Sequence, residues 1–189
     1  MPYNDKEIQL ISLQDDFFKS IKINHESSIN CLAIEDELIV GGFEDGSLLI
    51  LNQDSDSTKK IQASNVSIES VCISGGKIYS GSKIGEIKKW QGESGEEFSE
   101  KTNLNFKSNQ YCDSIIDLKI FDNILYSRSW DGHIRIWHSN TGNLLNSFEI
   151  DLPLELEGFG KLVVGQGKII TMSGYDTIKV HDFNPLIKV

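Results

Sequence analysis

The 189-residue sequence predicts an all-β fold in which four repeated units each supply a small sheet. Two observations carry this prediction. Short apolar runs, rich in β-branched and aromatic residues, recur along the chain and are separated by turn residues. No long stretch keeps apolar residues at helical spacing, and glycines interrupt the chain throughout. The length fits one domain with a sizeable core.

The four repeats share one pattern, in which a short apolar run leads through a turn to a second run that alternates. Their extents are 38–51, 77–90, 124–137 and 168–181. Aligned on Leu51, Trp90, Trp137 and His181, the repeat lengths are 39, 47 and 44 residues. A four-stranded repeat takes about 40 to 45 residues. Each copy also follows a further apolar run that predicts its first strand, at 29–34, 68–73, 115–120 and 162–164.

The connections and the amino terminus complete this pattern. Asp45-Gly46 and Asp131-Gly132 favour tight hairpin turns, because these residue types tolerate positive φ. The acidic stretches 52–57 and 91–97 predict solvated loops between repeats. Two runs before the first repeat, 8–11 and 17–23, are similar to the last two strands of a further unit.

These repeats resemble those of the WD-repeat β-propeller family over about residues 25 to 183, and the third repeat is the most similar. It contains Ser127, Asp131-Gly132 and Ile134-Arg135-Ile136-Trp137. The resemblance implies a propeller of four recognisable four-stranded blades plus an amino-terminal pair of strands. The domain limits that follow are 1–24 for the strands of a partial blade and 25–189 for the propeller, with repeats at about 25–62, 63–100, 111–150 and 158–189.

In that family a polar network fixes each blade: a turn Asp, a loop His, a Ser or Thr on the second strand and a Trp on the third. A buried Asp or indole N–H without a partner would cost roughly 1 to 3 kcal/mol. The resemblance gives this structural role to His25, Asp45, Ser80, Trp90, Ser127, Asp131 and Trp137. No repeat has the full set, since other residues stand in the matching places: Gly41, Leu51, Ser64, Ile84 and Tyr111.

Four repeats make a little over half of the ring that members of that family typically form, whereas propellers in general close with about 4 to 8 blades. Three arrangements fit the sequence: an arc completed by a second copy or a different protein, a small closed ring of four or five blades, or a truncated relative of a longer protein. Residues 186–189 compete with the amino-terminal strands for the outer position of the last blade. An open arc would expose two strand edges and apolar faces, which favours pairing with another chain.

Composition and motifs argue against several classes of function. The formal net charge of −10 disfavours binding to nucleic acid or to an anionic membrane. The apolar runs are far shorter than a membrane helix, which needs about 20 residues. The sequence shows no nucleophile motif, no His and Cys cluster with metal spacing and no complete phosphate-binding loop. We therefore expect neither an enzyme nor a cofactor or metal.

The three cysteines, Cys31, Cys72 and Cys112, lack the paired spacing of a zinc site or a redox dithiol. We expect them to act as small apolar residues in a reducing compartment. The amino terminus has no secretory signal pattern. The sequence therefore predicts a cytoplasmic protein, with a nuclear location also open.

The resemblance implies a non-catalytic scaffold for protein–protein interactions in an intracellular complex; the alternative is a substrate-recognition subunit of a ubiquitin ligase or another regulatory complex. In that family partners commonly dock on the turns between the second and third strands. The candidate partner-binding residues are Glu44, Lys83, Arg128, Trp130 and Tyr175. Trp130 is the strongest candidate, because a Trp in a polar turn has the composition of an interface hot spot. Alternatively, its ring covers the rim of the blade.

Overall fold

The structure is a computed structural model that describes residues 7–11, 18–22, 25–55, 57–91, 99–100, 113–150, 161–173 and 177–182. Within these residues, 17 strands form five antiparallel sheets, and none of the described residues is helical. The predicted all-β fold of repeated sheets is confirmed.

The strands follow the chain in order, so every sheet is a simple meander. A hairpin comes first, with β1 (Glu7–Ile11) and β2 (Phe18–Lys22). The first sheet contains β3 (Ile29–Glu35), β4 (Leu38–Phe43), β5 (Ser47–Asn52) and β6 (Ser57–Gln62). The second contains β7 (Ile68–Ser74), β8 (Lys77–Ser82), β9 (Ile87–Gln91) and β10 (Ser99–Glu100).

The third sheet contains β11 (Ile115–Phe121), β12 (Ile124–Ser129), β13 (His133–His138) and β14 (Leu144–Glu149). The fourth contains β15 (Leu162–Gly165), β16 (Lys168–Ser173) and β17 (Thr177–Asp182). In the described residues this last sheet therefore has three strands, where the repeat pattern predicts four. The predicted outer candidate at 186–189 lies outside the described residues, and the domain limits stay a prediction.

Among the described residues, tight turns join strands at both ends of the sheets. At one end the first and second strands are joined by two-residue turns such as Gly75-Gly76, with φ values of 56° and 68°, and Asp122-Asn123, with 49° and 60°. Positive φ at both positions matches the right-handed twist of the flanking strands. At the other end, the positive φ predicted for the Asp-Gly turns is found at Gly46 (83°) and Gly132 (79°).

Consecutive sheets pack face to face, with their first strands β3, β7, β11 and β15 beside one another. Alternate side chains of a strand point to opposite faces. We call the face of a sheet toward the preceding sheet its leading face and the face toward the following sheet its trailing face. The second and third sheets therefore have a neighbouring sheet on each face.

Three apolar seams result. In the first seam, the trailing face of the first sheet meets the leading face of the second through Val40, Leu48, Ile50, Val71, Ile73, Ile78 and Trp90. The second seam is built in the same way from Cys72, Tyr79, Ile87, Leu118, Leu125 and Trp137. The third seam contains Tyr126, Ile134, Ile136, Leu162 and Ile169. The core thus consists of successive layers between sheets.

Glycine at one trailing-face position lets neighbouring sheets approach closely. A Cβ added at Gly42 would lie 2.6 Å from Ile68 Cγ2 on the second sheet. A Cβ added at the equivalent Gly81 would lie 2.5 Å from Ile115 Cγ2 on the third sheet. Both distances are shorter than carbon atoms tolerate, so the first two seams require a residue without a side chain here.

We expect Gly42→Ala to lower the free energy of unfolding by about 1 to 3 kcal/mol, because the new methyl group overpacks the first seam. The matched control is Gly41→Ala, whose Cβ would lie no closer than 3.4 Å to Phe43 Cε2. That control should leave stability unchanged or raise it by up to about 1 kcal/mol. Urea unfolding followed by tryptophan fluorescence measures both; equal losses would contradict the close approach at Gly42.

Candidate functional site

The turns between the second and third strands form one surface, which we call the turn face and define by residues 44–46, 83–85 and 130–132. The backbone holds the three turns in the same way. The N–H groups of Glu44, Lys83 and Trp130 each donate a 2.9 Å hydrogen bond, to the carbonyl oxygens of Ser28, Ser67 and Ser114 respectively. This anchoring uses no side chain of Glu44, Lys83 or Trp130, so these three side chains are available for binding.

Three of the predicted partner-binding residues lie on this surface. Glu44 and Lys83 are exposed, and Trp130 is 41% exposed. Ile84 lies in the turn of the second sheet, is 56% exposed and was missed by the sequence analysis as a binding residue. Its signal was present, because an isoleucine stands there at the position where the other two turns have aspartate. Two large apolar side chains therefore lie on equivalent turns of neighbouring sheets.

Arg128 does not lie on the surface, which corrects its prediction as a residue that contacts a partner. The side chain is only 1% exposed and points from the trailing face of the third sheet, at the position of Gly42 and Gly81. Among the described residues, its Nε and Nη1 have no hydrogen-bond partner. Burial lowers the pKa of Arg128, and the nearby carboxylate of Asp117 opposes this shift. Tyr175 lies outside the described residues, so its role stays a prediction.

The network under the Trp130 turn differs from the one implied by the resemblance. Asp131 accepts hydrogen bonds from Arg135 Nη2 at 2.6 Å, from the backbone N–H of His133 at 3.0 Å and from the hydroxyl of Ser129. Arg135 Nη1 also donates to Ser129 Oγ at 2.8 Å. Arg135, from the same sheet, is therefore the cationic partner of the turn aspartate. Tyr111, which stands in the place of the loop histidine, lies outside the described residues.

Burial alone would raise the pKa of Asp131, but the hydrogen bonds from Arg135 and Ser129 outweigh burial and hold the pKa below its ordinary value. The guanidinium of Arg135 is itself 1% exposed. The pair thus joins the turn that carries Trp130 to the interior of the sheet. The carboxylate of Asp131 is therefore important for stability, since its removal would leave the buried charge of Arg135 unpaired.

The first sheet keeps the histidine of the network. His25 Nε2 lies 3.0 Å from Ser47 Oγ and 3.5 Å from Asp45 Oδ2, and its ring stacks on Phe43 at 4.0 Å. The hydroxyl of Ser47 donates to Asp45 Oδ1 at 2.6 Å. Desolvation would raise the pKa of Asp45, but the hydrogen bonds from Ser47 and the charge interactions with His25 and Lys60 lower this pKa. Ser47 is a member of the network that the sequence analysis missed.

The predicted pairs of a second-strand hydroxyl with a third-strand indole are present in two sheets. Trp90 Nε1 donates to Ser80 Oγ at 2.9 Å, and Trp137 Nε1 donates to Ser127 Oγ at 2.8 Å. All four side chains are buried, so each indole N–H has its partner in the core. In the fourth sheet a weaker version joins Thr171 Oγ1 to His181 Nε2 at 3.4 Å.

The described residues contain little that could support chemistry. Burial raises the pKa of Cys31 to about 12 and that of Cys72 further still, so these thiols are poor nucleophiles. In the part of the chain that the structure describes, no group of three or more His, Cys, Asp or Glu side chains has the arrangement of a metal site. That part likewise has no helix with the length and apolar character needed to cross a membrane.

No family model matches the sequence, and no curated protein matches it either. Solved structures do match. The computationally designed Ika4 protein is similar with a TM-score of 0.68 and 22% identity, over 85% of this chain and 94% of that one. A chain in the Mitotic Checkpoint Complex gives 0.69 and 13%, over 95% of this chain and 57% of that one. The WD40 β-propeller domain of Doa1 gives 0.66 and 17%, over 85% of this chain and 53% of that one.

These similarities show the β-propeller fold. The identities are too low to carry a function from one protein to another. The present chain spans only about half the length of the Doa1 and checkpoint chains, and 56% of the designed Ika8 chain, which it matches with a TM-score of 0.67 and 20% identity. The four sheets therefore correspond to about half of those structures.

We expect Asp131→Asn to lower the free energy of unfolding at pH 7 by about 2 kcal/mol, because Arg135 loses its charged acceptor. The folded-state pKa of Asp131 lies below its unfolded value of about 3.9. Its stabilising contribution is therefore complete above pH 5 and disappears as the pH falls through the folded-state pKa. The difference between wild type and variant should shrink accordingly in urea unfolding series between pH 7 and pH 2.

Asp54→Asn is the control for this series, since Asp54 is exposed in the turn between β5 and β6. We expect it to change stability by less than about 0.5 kcal/mol at every pH. A constant difference between wild type and Asp131→Asn across the series would show that the carboxylate charge does not stabilise the turn.

Proposed function

We propose that this protein is a non-catalytic scaffold that binds other proteins of an intracellular complex through its turn face. The single observation that carries the proposal is Trp130, which is 41% exposed at the apex of an anchored turn. Ile84, 56% exposed on the neighbouring turn, enlarges the apolar surface. Large apolar side chains on equivalent turns of a polar surface are typical of protein-binding sites.

The turns are held rigidly before any partner arrives. Each is fixed by a backbone hydrogen bond to the loop before its sheet, and the Trp130 turn is fixed again by Asp131 and Arg135. When a partner buries the indole of Trp130, the turn therefore loses little conformational freedom. Preorganisation of this kind raises affinity without any additional contact.

The charges of the turn face favour a particular partner chemistry. Lys83 is exposed beside Ile84, and Glu44 is exposed on the turn of the first sheet. A complementary partner would present an apolar side chain to Trp130 and Ile84, with an acidic group near Lys83 and a basic group near Glu44. The net charge of −10 favours encounter with partners that are basic overall.

The β-propeller neighbours support a binding role at the level of the fold, since one of them was solved as part of a complex. The open ends of the array belong to the same proposal. The first and fourth sheets each expose apolar side chains, and we propose that another protein chain covers them.

We expect Trp130→Ala to weaken binding of a turn-face partner by about 30-fold, corresponding to about 2 kcal/mol, while the free energy of unfolding changes by less than about 1 kcal/mol. Proteins that co-purify with the wild type are identified by mass spectrometry. Titration calorimetry with each recombinant candidate then gives the dissociation constant.

The matched control is Phe121→Ala. Phe121 is a 37% exposed aromatic residue beside the turn between β11 and β12, at the opposite end of the same sheet. It should leave the dissociation constant unchanged. The turn-face proposal fails if both substitutions weaken binding equally, or if Trp130→Ala unfolds the protein.

A further inference from the structure

The leading face of the first sheet exposes apolar side chains on its innermost strand. Leu32 and Ile34 on β3 are 54% and 62% exposed. In the next two sheets the register places Val71 and Ile73, then Leu118 and Ile120, at the equivalent positions. Those residues pack in the first and second seams. Leu32 and Ile34 thus have the composition of a seam, but within the described part of the chain no sheet forms a seam with them.

The trailing face of the fourth sheet is exposed in the same way. Val163, Ile178 and Val180 are 58%, 68% and 55% exposed. By strand register, Ile178 stands at the position of Leu48, Ile87 and Ile134, and Val180 at that of Ile50 and Ile136. All of those counterparts are buried against the following sheet. The fourth sheet carries the trailing half of a seam, but no sheet follows it among the residues that the structure describes.

The two exposed faces are the two complementary halves of one contact. Three times within the chain, a leading face with an apolar pair on its first strand packs on a trailing face with an apolar residue at the position of Ile178. At the position of Val180 the first and third sheets have isoleucine, and the second has the buried Lys89. The exposure of Leu32, Ile34, Ile178 and Val180 shows that the two ends do not cover each other within one chain. Each open face is therefore complementary to the opposite end of the array, and a second copy of the chain supplies that end.

Building on the proposed completion by another chain, we propose that the covering chain is a second copy of the protein. The trailing face of the fourth sheet of one copy packs on the leading face of the first sheet of the other. The same contact forms in the other direction, so two identical head-to-tail interfaces close the ring. With the β1–β2 hairpins left aside, two copies bring eight sheets, and closed propellers have about 4 to 8 blades.

The lengths of the solved propellers support a second copy. The chain covers 53% of the Doa1 propeller domain and 56% of the designed Ika8 chain. Two copies therefore supply about the length of one such structure. Farther out on the leading face, Ile39 and Leu51 are already buried at 3% and 5% exposure. The fourth sheet of the partner copy must therefore make its contact mainly with β3.

The test is the solution mass by light scattering after size-exclusion chromatography, across a dilution series of the full chain. We expect twice the 21.2 kDa of one chain. Ile34→Asp and Ile178→Asp should each raise the dimer dissociation constant by about 30-fold or more, because each interface uses both faces. Both side chains are more than 60% exposed in the single chain, so neither substitution should unfold it. Circular dichroism and thermal unfolding verify this.

Ile84→Asp is the matched control, since Ile84 is 56% exposed but lies on the turn face rather than on either end. It should leave the dimer intact. An equal mixture of the Ile34→Asp and Ile178→Asp proteins retains one intact pair of faces and should form a heterodimer that neither variant forms alone.

A monomeric wild type at every concentration would overturn the second copy as occupant, whereas Trp130-dependent binding would still support the turn face. Dissociation by Ile178→Asp but not by Ile34→Asp would mean that the two fourth sheets pair with each other, which also overturns the head-to-tail contact. A dimer unaffected by both variants, or an assembly larger than a dimer, would contradict the closed ring of two chains.

Discussion

The burial of both faces of every sheet is the constraint on which the rest of this structure depends. A four-stranded sheet with apolar side chains on both sides is stable in water only when a neighbour covers each side. The chain meets this requirement on both faces of the second and third sheets, through three seams built from equivalent positions. It leaves the requirement open at Leu32 and Ile34 on the first sheet and at Ile178 and Val180 on the fourth. The requirement that explains the three packed seams therefore also shows which two faces are uncovered.

The turn face exists because the sheets themselves are so regular. Equivalent backbone hydrogen bonds hold the turns of Glu44, Lys83 and Trp130, whatever side chains they carry. The polar groups beneath differ from sheet to sheet: His25 reaches the aspartate in the first, and Arg135 does so in the third. Each arrangement gives the carboxylate of its turn hydrogen-bonding or charged partners. The side chains of Glu44, Lys83 and Trp130 are not needed to hold the turns and are available to bind a partner.

The third seam departs from the first two at one position. Gly42 and Gly81 let the following sheet approach closely, whereas the third sheet has Arg128 there. Its guanidinium is buried near Asp117, whose Oδ2 accepts the backbone N–H of Leu162 on the fourth sheet at 2.7 Å. The junction between the third and fourth sheets thus combines apolar packing with buried charge. Charge in a seam is costly unless it is paired, so this junction should be the most sensitive to substitution.

The sequence by itself determined the strands and the four repeats, because strand alternation, turn glycines and repeat spacing are local properties of the chain. The two Trp–Ser pairs were implied by the resemblance of these repeats to a known family. The same resemblance singled out Trp130, which is 41% exposed in its turn. Only the tertiary structure decided that Arg128 is buried, that Arg135 holds Asp131 and which apolar faces remain uncovered. The physical reason is that burial and charge pairing depend on which sheet lies opposite a residue, and the repeat pattern is the same for a covered face and an open one.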